Sequence, residues 1–172
     1  MDRYSRCKKS RLAKRFRQNE LGATLVELAL SSAIFLGMLT GVFEMCWAFN
    51  TYHYVDEIAR EGTRYAIVRG STSCTNTPSL TNCNATVAEI RSYLQGIPYP
   101  GVDGPDRMTV TVNYFTPSSA TPTTWTACAS GTCNAPGNLV KVQVTYSFPL
   151  NIAWVTKRNL NMTSSSSLVI AQ

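Results

Sequence analysis

Gly22-Ala23-Thr24-Leu25-Val26-Glu27 is the part of this chain best suited to chemistry performed upon it. A glycine closes a basic leader, and a carboxylate five residues later opens a long apolar segment. The arrangement reads as a processing site, with the peptide bond between Gly22 and Ala23 as the one to be cut. Charge placement agrees with this reading. Eight of the sixteen Lys and Arg residues precede Gly22 (Arg3, Arg6, Lys8, Lys9, Arg11, Lys14, Arg15 and Arg17) against Asp2 and Glu20, so the leader holds the whole formal charge of +6. From Ala23 onward eight basic residues balance eight acidic ones, and a cut would leave a neutral body.

Glu27 calls for a partner. An ionised side chain at the centre of a bilayer costs about 2.5–3.5 kcal/mol even on lenient insertion scales, so it tends to be paired or functional. A cut after Gly22 would create an amino group at Ala23, one helical turn from Glu27 on its own helix or a neighbour's. The plainer alternative puts Glu27 at headgroup depth near a helix N-terminus, where a carboxylate also favours the helix dipole. Glu44 takes that plainer reading, since it falls where the apolar segment ends.

The other reactive side chains are six cysteines and one histidine. Cys7 lies in the leader, Cys46 at the end of the apolar segment, and Cys74, Cys83, Cys128 and Cys133 in two later loops. Four cysteines in an oxidising space suggest two disulfides. Three connectivities are open; pairing within each loop, Cys74 with Cys83 and Cys128 with Cys133, is expected because each pair sits within one loop. No C-x-x-C knuckle accompanies His53, so neither a metal site nor a cofactor is expected. A single histidine leaves no nucleophile, base and orienting group of the usual kind, and enzyme is the least suited class. Asp103-Gly104-Pro105-Asp106 reads as a turn.

These residues need a long helix to position them. No charge interrupts Leu28 to Phe43, and about 20 residues at ~1.5 Å each span a bilayer core of roughly 30 Å. A span over residues 23–45 is therefore expected, with the basic leader, residues 1–22, holding its N-terminal end in the cytoplasm. Trp47, Phe49, Tyr52 and Tyr54 follow as an interfacial aromatic belt. A removable signal peptide would have a shorter apolar run and small residues at its cut, whereas Cys46-Trp47-Ala48-Phe49 is bulky; a lipoprotein signal would need small residues before Cys46. A nucleic-acid-binding arm would also use clustered Lys and Arg, but the positive-inside flank explains the same charges and no nucleic acid is expected. Ala33, Gly37 and Gly41 form a small-xxx-small stripe that would let another helix approach.

Beyond the span, Val55, Ile58, Ala59, Gly62 and Ala66 recur at helical spacing among Asp56, Glu57, Arg60, Glu61 and Arg64, so the helix is expected to continue through residues 46–70 and stop at Gly70. One rod of about 70 Å results at the standard rise. The remaining residues, 71–172, read as a small exported α+β domain. Residues 71–84 are a loop by composition. Thr86-Val87-Ala88-Glu89 is a capping box for a short helix presenting Val87, Ile90 and Leu94 on one face and ended by Gly96 and Pro98. Met108, Val110, Val112 and Tyr114 alternate with polar residues, as do Val140, Val142, Val144, Tyr146 and Phe148, and each run is a half-buried strand. Leu160, Met162, Leu168 and Ile170 repeat the pattern more weakly, with Ser164 and Ser166 between them. Residues 116–138 form a long Thr/Ser/Ala/Pro loop. The expected fold class is α+β, a long helix packed against a small antiparallel sheet of about three strands.

Gly22-Ala23-Thr24-Leu25-Val26-Glu27-Leu28 resembles the type IV prepilin cut site, and Ile58-Ala59-Arg60-Glu61-Gly62-Thr63-Arg64-Tyr65-Ala66 resembles the motif that follows the membrane helix in TadE-like proteins. These are pseudopilins, or minor pilins, of the tight-adherence (Flp) pilus system. The resemblance covers Arg15 to Gly70, and Leu28 departs from it where many members carry an aromatic residue. It implies a pilin-like fold in the bacterial inner membrane, with the N-terminus cytoplasmic and the C-terminal domain periplasmic. It also implies cleavage by a prepilin peptidase, incorporation in a pilus, and membrane lipid, other pilins and assembly-platform proteins as partners, with Glu27 directing assembly. Two alternatives stay open: an uncut bitopic protein whose exported domain scaffolds assembly or binds a ligand, and a minor pseudopilin of a type II secretion or other type IV system.

Overall fold

The computed structural model describes residues 3–99, 107–118, 124–128, 133–151 and 156–171, with side chains from Gly22 onward. The Asp103-Gly104-Pro105-Asp106 turn and the side chain of Cys7 lie outside that description. The chain divides into two compact units, Met1–Met45 with Ile152–Thr156, and Cys46–Asn151 with Lys157–Gln172.

Helix α1 runs unbroken over Arg3–Val68. The first proline of the chain is Pro78, so nothing in this stretch removes a backbone donor. Its hydroxyls bond back to the helix: Ser31 to the Glu27 carbonyl at 2.8 Å, Ser32 to Ala29 at 3.0 Å, and Thr40 to Gly37 at 2.8 Å. The helix begins well before the expected start at Ala23 and ends two residues short of Gly70. One turn of helix, α2 (Ser73–Asn76), interrupts the expected loop after it. Helix α3 (Val87–Gln95) forms where the capping box stands. The Thr86 backbone N–H and hydroxyl donate to Glu89 Oε2 at 2.7 and 2.9 Å, and these bonds hold the Glu89 carboxyl below its usual value.

Four strands form one antiparallel sheet in the order β2-β1-β3-β4: β1 (Met108–Pro117), β2 (Trp125–Ala127), β3 (Leu139–Leu150) and β4 (Arg158–Val169). The expectation of about three strands is corrected by β2, three residues inside the Thr/Ser/Ala/Pro loop that pair with Phe115–Pro117. With only Trp125, Thr126 and Ala127 it is too short for its own pattern to mark it as a strand, so its pairing is decided by β1. The β3–β4 register runs without a bulge from Leu139↔Val169 to Leu150↔Arg158. The open edge of β1 is capped by α3: Arg91 Nε donates to the Val110 carbonyl at 3.2 Å and Gln95 Nε2 to Met108 at 3.3 Å.

The core lies where the second part of α1, α3 and one sheet face meet. Val55, Ile58, Ala59, Ile90, Leu94, Val110, Val140, Val142, Val144 and Tyr146 are all buried there. Full burial of each large aliphatic side chain contributes about 1.5–3 kcal/mol. Met162 and Ile170 join this core, whereas Leu160 and Leu168 remain 48% and 41% exposed. They alternate in step with Met162, but β4 is an edge strand and, among the described residues, none pairs with its outer border to cover them. The serines between them face α1: Ser166 bonds Thr63, hydroxyl to hydroxyl, at 2.9 Å, and Ser164 donates to Asp56 Oδ1 at 2.8 Å.

Gly62 sets how close the helix comes. A Cβ built there would stand 2.7 Å from Leu94 Cδ1 and 2.9 Å from Val142 Cγ1. Gly62→Val should therefore destabilise the sheet domain by about 1–3 kcal/mol through overpacking, read as a lowered midpoint when the detergent-solubilised full chain is unfolded and followed by near-UV circular dichroism.

Candidate assembly helix and the motif that docks it

Two parts of α1 carry opposite surfaces. From Gly22 to Phe43 the apolar side chains face outward, with Leu25 at 66%, Val26 at 70% and Met38 at 72% exposed. This stretch is long and apolar enough to cross a membrane, and none of its most apolar window is buried within the protein. Covering such a surface with water costs roughly 25 cal/mol per Å2, so lipid or other apolar helices are its natural surroundings. Gly22 is exposed with open space where a Cβ would stand. Ala23 and Glu27 are both exposed and one helical turn apart, about 6 Å along the axis and on one face. Among the described residues no side chain pairs with the Glu27 carboxylate. Ala33, Gly37 and Gly41 follow one another at four-residue intervals, and a Cβ at Gly41 would meet open space. The three small residues therefore form a shallow track in an otherwise bulky helix surface.

The motif at 58–66 behaves differently, because its residues are consumed in docking. Ile58, Ala59, Gly62, Thr63, Tyr65 and Ala66 are buried. Asp56 is held between Arg60, at 2.7 Å, and the Ser164 hydroxyl. Glu61 accepts a hydrogen bond from the Tyr93 hydroxyl at 3.0 Å. Tyr93 stacks on Tyr65 with ring centroids 4.1 Å apart, and the Arg69 guanidinium lies 3.8 Å above Tyr65. A second stack, Tyr54 on Tyr99 at 4.2 Å, is fastened at both hydroxyls, to the Ile97 carbonyl at 3.0 Å and to Asn50 Oδ1 at 2.8 Å. Burial, with Tyr146 and Tyr99 close by, pushes the Tyr54 hydroxyl above its ordinary value. Sequence periodicity found the apolar members of this motif; the tyrosine stacks, which join residues 28 to 45 positions apart in the chain, left no local signal.

The structure joins Cys74 to Cys83 and Cys128 to Cys133. The first closes the loop after α1, where the buried Ser73 hydroxyl donates to the Gly70 carbonyl at 2.7 Å and accepts from the Asn84 backbone at 2.8 Å. Asn82 and Asn84, on either side of Cys83, adopt positive φ of 55° and 56°, a conformation asparagine tolerates. Cys46 is a free, exposed thiol. Among the described residues no group of three His, Cys, Asp or Glu side chains is placed to hold a metal.

Fold and surface together define an α+β protein whose long helix carries both an outward-facing apolar stretch and part of the core of its sheet domain. Residues 22–64, a quarter of the chain, match the family model described as TadE-like protein, so this stretch of the helix is similar to that family. No curated protein and no solved structure matches the chain.

The hydrogen bond to Glu61 is the main cause that raises the Tyr93 pKa, with a small desolvation contribution. A raised value means that the folded state holds the phenolic proton more tightly, so the stability it contributes is present below the ordinary tyrosine value and is lost as pH rises through the folded one. Glu61→Gln should move the Tyr93 transition to lower pH, checked by ultraviolet titration of the full chain against a Tyr93→Phe control.

Proposed function

We propose that this chain is a minor pilin or pseudopilin of a tight-adherence (Flp, type IVb-like) pilus, inserted in the inner membrane and cut by a prepilin peptidase between Gly22 and Ala23. The observation that carries the proposal is the exposed Glu27 carboxylate, set in an uncovered apolar helix one turn from Ala23, on the segment that matches the TadE-like family. Cleavage supplies the missing partner: a positively charged terminus at Ala23 neutralises Glu27 of the same or an adjacent subunit as helices pack. Gly22 suits the cut physically, since glycine in a helix interior costs about 1 kcal/mol relative to alanine and lets the backbone open there for a protease. The eight leader cations hold the N-terminus in the cytoplasm and leave with the leader.

Residues 23–45 then cross the membrane, 46–70 extend the helix outside it, and 71–172 form the periplasmic domain. The Ala33, Gly37 and Gly41 track receives a neighbouring pilin helix or an assembly-platform protein. The disulfides at Cys74–Cys83 and Cys128–Cys133 brace the surface loops that such a subunit presents.

Coexpression with an active prepilin peptidase should yield an intact mass lacking the residues before Ala23, and Gly22→Leu should retain the full mass. Glu27→Val should still be cut but should reduce recovery of the protein in sheared pili. A wild-type N-terminus still at Met1 beside an active peptidase would sink the processing claim.

A further inference from the structure

From Arg107 to Gln172 the chain contains no aspartate or glutamate, while it contains Arg107, Lys141, Lys157 and Arg158. Every strand of the sheet is therefore free of acids. Val110, Val142 and Val144 point to one side of that sheet and are buried in the core with α1 and α3. Their neighbours along each strand point to the other side, where the register sets them in rows. One row is Thr109, Thr145 and Thr163, and the next is Thr111, Gln143 and Ser165. A third holds Lys141 between Asn113 and Ser167. In all three the β1 and β4 members are exposed and the β3 member is half-buried. Successive rows stand about 6.8 Å apart.

Solvent-facing positions commonly mix charges of both signs, whereas Lys141 is the one charge in these three rows and among the described residues no acid pairs with it. Arg107 and Lys157 immediately precede β1 and β4 and add positive charge at the margin. Asp56, Glu57, Glu61 and Glu89 stand on α1 and α3, which pack on the buried side; Asp103 and Asp106 lie outside the described residues. The other groups of the three rows are hydroxyls and amides, which both donate and accept hydrogen bonds and cost far less than ions to strip of water. Those of Thr145 and Thr163 are already held by a bond to each other at 3.0 Å. Phe115, Leu139 and Val169 form a fourth row beside Lys141 and give that end an apolar surface, with Val169 48% exposed. Nucleic acid presents one charge per about 1.7 Å of duplex, a density that one central lysine does not match. A chain of sugars with widely spaced carboxylates matches it, and its hydroxyls suit the rows.

We propose that the outward face of β1, β3 and β4 binds an acidic polysaccharide, with Lys141 meeting a carboxylate and Thr111, Gln143, Thr145 and Ser165 hydrogen-bonding sugar hydroxyls. The Phe115, Leu139 and Val169 row meets the apolar face of a sugar ring, as apolar walls with a few placed polar groups do in ligand sites. The proposal needs the sheet alone and holds whether or not the chain is cut after Gly22.

The test titrates hyaluronate, which carries a carboxylate on every second sugar, into the detergent-solubilised full chain with Cys7→Ser and Cys46→Ser. An environment-sensitive fluorophore on Ser167→Cys reports this face and is not moved by binding at the basic leader; the same fluorophore on Arg64→Cys, on α1, is the control. A saturable change at position 167 and none at 64 is the expected result. Lys141→Gln should raise the half-saturating concentration by up to about fivefold, and Thr111→Val with Thr145→Val by about tenfold, with the near-UV circular dichroism unchanged. Arg158→Gln, on the same side of β4 as the buried Met162, should leave it unchanged. No change at position 167, an equal change at 64, equal binding of neutral dextran, tighter binding of single-stranded DNA at position 167, or as large a loss in Arg158→Gln as in Lys141→Gln overturns the proposal.

Discussion

The close approach of α1 to the sheet at Gly62 is the constraint on which the rest of the sheet domain depends. With no Cβ at Gly62, Leu94 of α3 and Val142 of β3 come within contact of the helix backbone, and both are fully buried as a result. The same approach brings Thr63 within reach of Ser166 and Asp56 within reach of Ser164. Serines on the inner face of β4 therefore act as small residues with a polar tip. They leave room for the helix and then bond to it, where a larger apolar side chain would hold it away.

One helix thus serves two solvents. Its second part is an element of a packed core, with Val55 and Ala59 fully buried, while its first part turns Leu25, Val26 and Met38 outward. Within the second unit the sheet is built directly onto the helix through packing and hydrogen bonds.

Local patterns in the chain form the elements their spacing implies. The capping box at Thr86 and Glu89 forms, and the alternations at Met108–Tyr114 and Val140–Phe148 bury the residues expected to be buried. Each of these depends on a window of a few residues, in which periodicity and capping chemistry act directly. The motif at 58–66 was legible as a resemblance but not in its physical role. Glu61 holds a tyrosine hydroxyl from α3, Tyr65 is sandwiched between Arg69 and Tyr93, and Gly62 admits two apolar neighbours. The second half of the family match is thereby a docking motif. The first half stays exposed on the helix surface.

By itself the sequence determined the placement of charge before Gly22, the length of the apolar segment, the lone carboxylate at Glu27 and the local elements, because each follows from composition or from spacing along one stretch of chain. Tertiary structure alone decided the pairing of β2 with β1, the exposure of Leu160 and Leu168 at a sheet edge, the capping of the other edge by Arg91 and Gln95, and the tyrosine stacks that join α1 to residues 93 and 99. These depend on residues tens of positions apart being brought together, and a contact of that kind is set by how helix and sheet fit in three dimensions, which no single window of the chain encodes.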